Sequence, residues 1–351
     1  MESIIIIILS LKQKNKKFKI LFRTIGGRTK NKEVGFGHIF RSINLSKKFS
    51  NHKKIFLVED YGKTNSIFKK NKIKNVIYLP KNISLNTDIK IVKNIIQKEK
   101  IDVLIVDKYK IDLRFFKEIK NLTKIVYISD LRKIQFPVEL VVNGFIGFQN
   151  QVLKNKYNSK CLVGPKYQII NDKFVLSKSK KKVIDLLVTF GGNDEIGLIE
   201  IVTKRWANMN KKIKMKVILG PGTKESKFIK KIKEKYPKLL IVEKQTTKMY
   251  SEIAKTKFGL CAGGITSYEF ARMGVPFGII CMTNHQKITA KEWQKRGIVK
   301  NLGINDAKLN NRIDKFFKLI LTNKLFLKKD NQIIDGKGTE RIQKEITNLV
   351  N

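Results

Sequence analysis

Short runs in which nearly every residue is apolar alternate with longer, amphipathic, lysine-rich stretches along most of the chain. The runs KILFRT (19–24), KIFLVE (54–59), NVIYL (75–79), VLIVD (103–107), KIVYISD (124–130) and LVVN (140–143) are rich in β-branched residues and predict strands. Between them, segments 38–49 and 87–99 carry apolar positions at helical spacing. Strands with no polar face belong in a parallel sheet covered on both sides, and the βαβαβ order predicts one. A polar stretch, SKSKKK (177–182), interrupts the pattern. The alternation then restarts with IDLLVTF (184–190), KMKVILG (214–220), LLIVE (239–243), FGLCA (258–262) and FGIICM (277–282). Helices are expected around 224–235 and 267–273, and the segment 308–350 reads as helical. The expectation is an α/β protein of two doubly wound, Rossmann-like domains, residues 1–175 and 176–351, with the C-terminal helices packing back across the pair.

Composition changes this picture little. A chain of 351 residues with 42% hydrophobic content can bury two cores. The net charge of +45 alone suggests nucleic acid or an anionic membrane surface. The lysines, however, are spread over the whole chain, and Lys, Ile and Asn share A/T-rich codons. Aromatic residues do not interleave the basic runs as they would on a base-stacking platform, so no nucleic-acid partner is expected. The three cysteines, Cys161, Cys261 and Cys281, are widely spaced in apolar runs. They read as buried thiols in a reducing, cytoplasmic setting. The apolar run Ile4–Leu9 is too short to span a bilayer and lacks the flanks of a signal peptide. With the basic stretch Lys12–Lys19 after it, it fits a weak membrane-surface contact, an additional strand or an upstream start.

In a doubly wound sheet the ligand lies beyond the carboxyl ends of the strands, so glycine-rich turns after strands are where chemistry is sought. Four stand out. The first runs from Gly26-Gly27 to Gly35-Phe36-Gly37-His38, which opens a helix. At a helix N-terminus the dipole disfavours the imidazolium and suits a proton acceptor. A histidine that merely caps its own helix fits the same residues. The second is Asp107-Lys108-Tyr109 at a strand tip, where an ordinary helix-capping Asp is the simpler account. The third is Thr189-Phe190-Gly191-Gly192-Asn193-Asp194, a phosphate cradle or a plain turn. The fourth, Cys261-Ala262-Gly263-Gly264-Ile265-Thr266-Ser267-Tyr268-Glu269, joins a Gly-Gly turn to hydroxyls and an acid. It fits a diphosphate site with a ribose-binding carboxylate, and equally a capping box from Thr266 to Glu269. Polar residues Thr283-Asn284-His285-Gln286 end another strand. No GxxxxGK[ST], GxGxxG, HExxH or CxxC pattern occurs, so no metal or cofactor is expected.

Taken in order, these segments resemble the PseG/SpsG family of UDP-sugar hydrolases and spore-coat polysaccharide proteins, related to MurG-type glycosyltransferases. The residues carrying the match are FRTIGG (22–27), GFGHIFRSINLSKKF (35–49), LIVDKY (104–109), ISDL (128–131), LVGPKYQIINDKF (162–174), TFGGND (189–194), CAGGITSYEF (261–270) and HQKITAKEWQKRGIVKNLG (285–303). The resemblance implies a GT-B architecture, two domains facing a cleft, with the sugar on the first and UDP on the second. It implies inverting hydrolysis of a UDP-activated 2,4-diacetamido-2,4,6-trideoxyhexose on the way to a nonulosonic (pseudaminic-type) acid. Separately, a monomer is expected. A glycosyltransferase would use the same site with an acceptor hydroxyl. Residue by residue, His38 and Tyr109 take the catalytic places. Arg23, Gly35, Gly37 and Asp107 line the sugar side. Gly191, Gly192, Asn193, Gly263, Gly264, Thr266, Ser267, Glu269, His285 and Gln286 line the nucleotide side. The chain departs from the family pattern after Arg23, where Thr24-Ile25 stands in place of an Asp, and at Ile265, Tyr268 and His285.

Overall fold

The computed structural model describes residues 17–28, 33–108, 111–130, 135–148, 157–175, 181–194, 196–209, 213–297, 299–324 and 333–351. The sequence's first alternation builds β1 (Lys19–Arg28), β2 (Glu33–Gly35), α1 (Gly37–Ser46), β3 (Lys53–Tyr61), α2 (Thr64–Lys70), β4 (Val76–Leu79), α3 (Leu85–Glu99), β5 (Val103–Asp107), α4 (Leu113–Ile119), β6 (Lys124–Ile128), β7 (Leu140–Asn143) and β8 (Lys160–Val163). The strands lie in the order β4-β3-β1-β5-β6-β7-β8. All these pairings are parallel, and β2 adds antiparallel to β1.

Strand alternation explains why these runs are apolar throughout. Leu21, Leu104, Val106 and Tyr127 point into the core under α3 and α4. Their neighbours Ile20, Phe22, Ile105 and Val126 point into the core under α1. The central strands β1, β5 and β6 are thus buried on both faces, while the edge strand β4 leaves Ile77 and Tyr78 exposed.

The second alternation builds β9 (Ile184–Thr189), α5 (Leu198–Asn208), β10 (Met215–Leu219), α6 (Lys227–Lys235), β11 (Leu240–Lys244), α7 (Met249–Ala254), β12 (Thr256–Cys261), α8 (Ile265–Arg272), β13 (Phe277–Cys281), α9 (Asn284–Lys295) and β14 (Val299–Ile304). Its sheet order is β11-β10-β9-β12-β13-β14. The chain reverses direction across each sheet at β1 and at β9, which puts the crevices at their carboxyl ends. The helical segment expected over 308–350 is two helices, α10 (Leu309–Leu321) and α11 (Gly338–Val350). Ile313, Phe316 and Phe317 of α10 stay with the second core. Ile342 and Ile346 of α11 return to the first, beside Phe18, Ile20 and Phe22.

Three strands were not anticipated. β2 is three residues long, while β8 and β14 carry lysine or asparagine within short runs, so periodicity gave no signal. The Gly26-Gly27 pair does not begin a ligand-side turn. It is the end of β1, paired with β3 and β2. A Cβ on Gly26 would lie 2.4 Å from Ile39, and Gly27 has φ +114 against the backbone of Tyr61 and Gly62. Glycine is there for close packing. No helix among the described residues is long and apolar enough to cross a membrane. The expectations for residues 1–16 lie outside the described residues.

Candidate active site

The turn that opens α1 sits at the crevice of the first sheet. Phe36 starts the helix, and no side chain caps it. His38 is 9% exposed, and its ring is spent elsewhere than on its own helix. Its Nδ1 lies 2.7 Å from Oδ1 of Asp107, the last residue of β5. Asp107 is fully buried and does not cap the following helix, which Asp112 caps instead. Arg41, one turn after His38, grips the same carboxylate with Nε at 2.8 Å and Nη2 at 2.5 Å. The guanidinium also holds Asp130 just past β6, with Nη2 to Oδ2 at 3.2 Å.

Burial alone would raise the Asp107 carboxyl, but Arg41 and then His38 outweigh it and hold it below its ordinary value. An ionised Asp107 has no proton to donate, so Nδ1 of His38 carries the hydrogen and donates it. Arg41 Nη2, 3.1 Å from Nδ1, is then a close contact between two donors. The basic nitrogen of the ring is Nε2. This is the arrangement in which a carboxylate fixes the tautomer of a general base.

On the opposite face of the same strands lies a second charged cluster. Arg23 is fully buried. It donates to both oxygens of Asp88 (2.8 and 2.9 Å), to Glu59 (3.0 Å) and to the Thr24 carbonyl (2.7 Å). Lys108 closes the cluster at 2.8 Å from Glu59 and 2.9 Å from Asp88. Arg23 therefore does not stand in the cleft as a sugar-side residue. Its charge is consumed inside the domain, under α3. Tyr109 lies outside the described residues.

The second domain brings its turns against α1. A Cβ on Gly37 would lie 3.9 Å from Ile265, and one on Gly192 would lie 2.8 Å from the Phe36 ring. Gly35, with φ +71, has open space around its α-carbon. Lys63 also crosses the cleft to the Pro221 carbonyl at 3.1 Å.

The two glycine turns of this domain differ. After β9, Gly191 (φ +78) and Gly192 pack on Gly220, and Gly192 O accepts from Gly222 N at 2.8 Å. Asn193 is buried against Gly222 rather than turned to the cleft. Asp194 reaches ahead and accepts from Leu198 N and Ile199 N, both at 2.7 Å. The N-terminus of α5 is thus filled by the protein's own carboxylate and is closed to a phosphate. A cavity of about 460 Å³ opens beside this turn, lined by Lys63, Asp194, Thr223, Lys224 and Ser226 among others.

After β12, Gly264 begins α8 and no side chain caps it. The capping box from Thr266 to Glu269 does not form. Ser267 Oγ donates to Gly264 O at 2.7 Å and is closed on its own turn. Gly263 N–H is taken by Gln286 Oε1 at 3.2 Å, and the same oxygen accepts Met282 N at 2.9 Å. Gln286 therefore braces the turn. His285 packs its ring between Phe145 and Phe148 of the first domain, centroids 5.7 and 5.6 Å away. Among the described residues, the Thr266 hydroxyl and the Glu269 carboxylate have no hydrogen-bond partner. Burial without a donor pushes Glu269 up to about 7. The first turns of α8 thus combine an uncapped helix N-terminus, a free hydroxyl and a donor-less carboxylate, and the helix start meets α1 through Ile265 and Gly37.

Sequence reasoning missed Arg41 and Asp130 as members of the His38 cluster. Arg41 had a signal, since it follows His38 at a spacing that shares a helix face.

Two doubly wound parallel domains meeting at such a cleft form the GT-B fold, and solved structures agree. MurG of Acinetobacter baumannii superposes with a TM-score of 0.65 at 12% identity, covering 95% of this chain and 100% of that one. The S. aureus MnaA–UDP complex gives 0.64 at 14% identity, covering 95% and 97%. No protein-family model matches the chain. Among curated proteins, the spore coat polysaccharide biosynthesis protein SpsG of Bacillus subtilis (strain 168) is 28% identical over 262 residues, 70% of this chain and 76% of the relative. The resemblance of this chain to the PseG/SpsG family is borne out by that match.

Proposed function

We propose that the chain is a UDP-sugar hydrolase in which His38 activates water and the N-terminus of α8 holds the departing diphosphate. The observation that carries the reading is the Asp107–His38 pair, which leaves Nε2 as a base beside an uncapped helix start. Water oxygen bonds to the anomeric carbon as the bond from that carbon to the diphosphate breaks. The water proton passes to Nε2, and the electron pair leaves with UDP. Attack opposite the leaving group inverts the anomeric centre. Backbone N–H groups of α8 and the Thr266 hydroxyl stabilise the charge on the diphosphate. Glu269 accepts from ribose hydroxyls, which supplies the donors it lacks. Gly35 and Gly37 leave room on the sugar side, and the PseG/SpsG resemblance assigns Tyr109 to it.

The sugar class, a 2,4-diacetamido-2,4,6-trideoxyhexose, rests on the PseG/SpsG resemblance, and cytoplasmic operation on the free thiols of Cys161, Cys261 and Cys281; a monomeric state is part of the same proposal. The name of the B. subtilis relative, with its polysaccharide role, supports a second reading: the same base serving an acceptor hydroxyl in a glycosyltransferase.

UDP release from a panel of UDP-diacetamido-trideoxyhexoses, without acceptor, tests the proposal. One substrate is expected to be hydrolysed, with His38→Ala lowering kcat by roughly 10²–10⁴-fold, the usual worth of a general base. UDP release only after a sugar acceptor is added would establish the transferase instead.

A further inference from the structure

A short strap joins the two halves of the site. Residues 144–148, Gly-Phe-Ile-Gly-Phe, leave the end of β7 and enter the second domain. Ile146 and Phe148 are fully buried in a core they share with Tyr268 and Trp293. The packing is tight, since a Cβ on Gly147 (φ +90) would lie 2.8 Å from Glu292 of α9.

Two contacts give the strap a direction. On one side, the Tyr268 hydroxyl of α8 accepts the Ile146 N–H at 2.8 Å, across 122 residues of sequence. The Tyr268 ring meets Phe145 edge-on, centroids 5.7 Å apart. On the other side, the Arg41 guanidinium lies over the Phe145 ring at 5.9 Å. Arg41 in turn grips Asp107, which fixes His38.

We infer that Tyr268 is a positioning residue: through the strap and Phe145 it sets Arg41, and with it the Asp107–His38 pair, in register with the N-terminus of α8. Tyr268 sits in the first turn of the helix whose start is assigned to the diphosphate, yet its own side chain is fully buried and touches no ligand space. The hydroxyl satisfies a buried N–H of the other domain, so its loss leaves a donor stranded at the domain junction. The inference rests on the proposal that His38 and α8 act on one substrate.

The test uses the full chain and its three histidines, His38, His52 and His285. Ring ¹⁵N resonances are recorded for wild type, Tyr268→Phe and Phe145→Leu, with UDP affinity and steady-state kinetics alongside. His52, which stacks on Phe18 in the first domain, is the control. In both variants the His38 resonances are expected to move while those of His52 stay. UDP affinity should hold within about twofold. kcat should fall by about tenfold or more with little change in KM, as small misplacements of reacting groups do.

Unmoved His38 resonances in a folded variant overturn the inference, and so does movement of His38 and His52 together, which would mean general loosening. Should one variant fail to fold, the other decides. Absence of UDP binding by wild type would sink the functional proposal, while the His38 resonances would still decide whether Tyr268 positions that ring.

Discussion

Two charged clusters stand back to back at the carboxyl edge of the first sheet. Thr24 pairs with Asp107 between β1 and β5, so Arg23 and Asp107 belong to consecutive rungs and opposite faces. Under α3, Arg23 and Lys108 face Asp88 and Glu59, two cations against two carboxylates. Under α1, Arg41 faces Asp107 and Asp130, and His38 is the fourth member. Both clusters use an arginine gripping an aspartate by two nitrogens, the strong form of the contact. The difference is the last member. A lysine completes the first cluster and makes it inert. A histidine completes the second and leaves a nitrogen that can take a proton. The same pairing thus holds the fold together on one face and, in the proposed function, prepares chemistry on the other.

The comparison can be broken from the site side first. Asp107→Asn keeps the shape but presents an amide where Nδ1–H needs a carboxylate. Turnover is expected to fall by roughly 10³–10⁴-fold, as in triads given the wrong tautomer, with UDP affinity unchanged. Activity within tenfold of wild type would mean that Asp107 serves Arg41 alone.

Breaking the sealed cluster should hurt stability instead. Arg23→Met leaves two buried carboxylates on one lysine and is expected to cost about 3–5 kcal/mol in denaturant unfolding. The folded fraction should keep its specific activity within a few-fold. Loss of turnover with unchanged stability would return Arg23 to the site.

Acid sharpens the contrast further. Burial would raise Glu59 and Asp88, but Lys108 and Arg23 overcome it and hold both below their ordinary values of 4.5 and 3.8. Groups lowered in the folded state stabilise it above their unfolded values, and that stability is lost as pH falls through the folded ones. Wild type should therefore lose stability steeply below about pH 4. Arg23→Met should be less stable at neutral pH and show a flatter acid limb.

The smallest effect concerns a carboxylate with no cation at all. Glu269 is pushed up to about 7 by burial, and a ribose hydroxyl would favour its ionised form. UDP binding should then release a proton, and affinity should rise with pH through about 7. Calorimetry in buffers of different ionisation enthalpy checks this. Glu269→Gln should remove the part of the proton release that UDP's own phosphate does not account for.

Much of the fold was legible because strands buried on both faces are apolar throughout. VLIVD and LVVN coincide with β5 and β7. β14, VKNLGI, was not, because Lys300 and Asn301 break its run and only tertiary pairing with β13 makes it a strand. At the site, His38 and Asp107 were each legible from their turns, but their pairing was not, since the bond spans 69 residues. Arg23 misled for the opposite reason. The resemblance put it on the sugar side, and its answer lay in Asp88, buried on the apolar face of α3 beside Ile89 and Val92. The two glycine turns of the second domain looked alike in sequence, and only side-chain placement separated the filled helix start at Asp194 from the open one at Gly264.

The return of α11 to the first domain has a consequence for how the chain is made. Ile342 and Ile346 complete the core that begins with Phe18. On the ribosome, the first sheet can pair its strands early, yet that face stays uncovered until residues 338–350 have emerged. One core of the second domain is made of its own residues, up to Ile320, and its other face takes Ile146, Phe148 and Phe174, which are synthesised earlier, so it can finish folding while the domain synthesised before it is still waiting. The order of synthesis and the order of completion are therefore reversed, and a chain stalled short of α11 would expose the apolar face beneath it to chaperones.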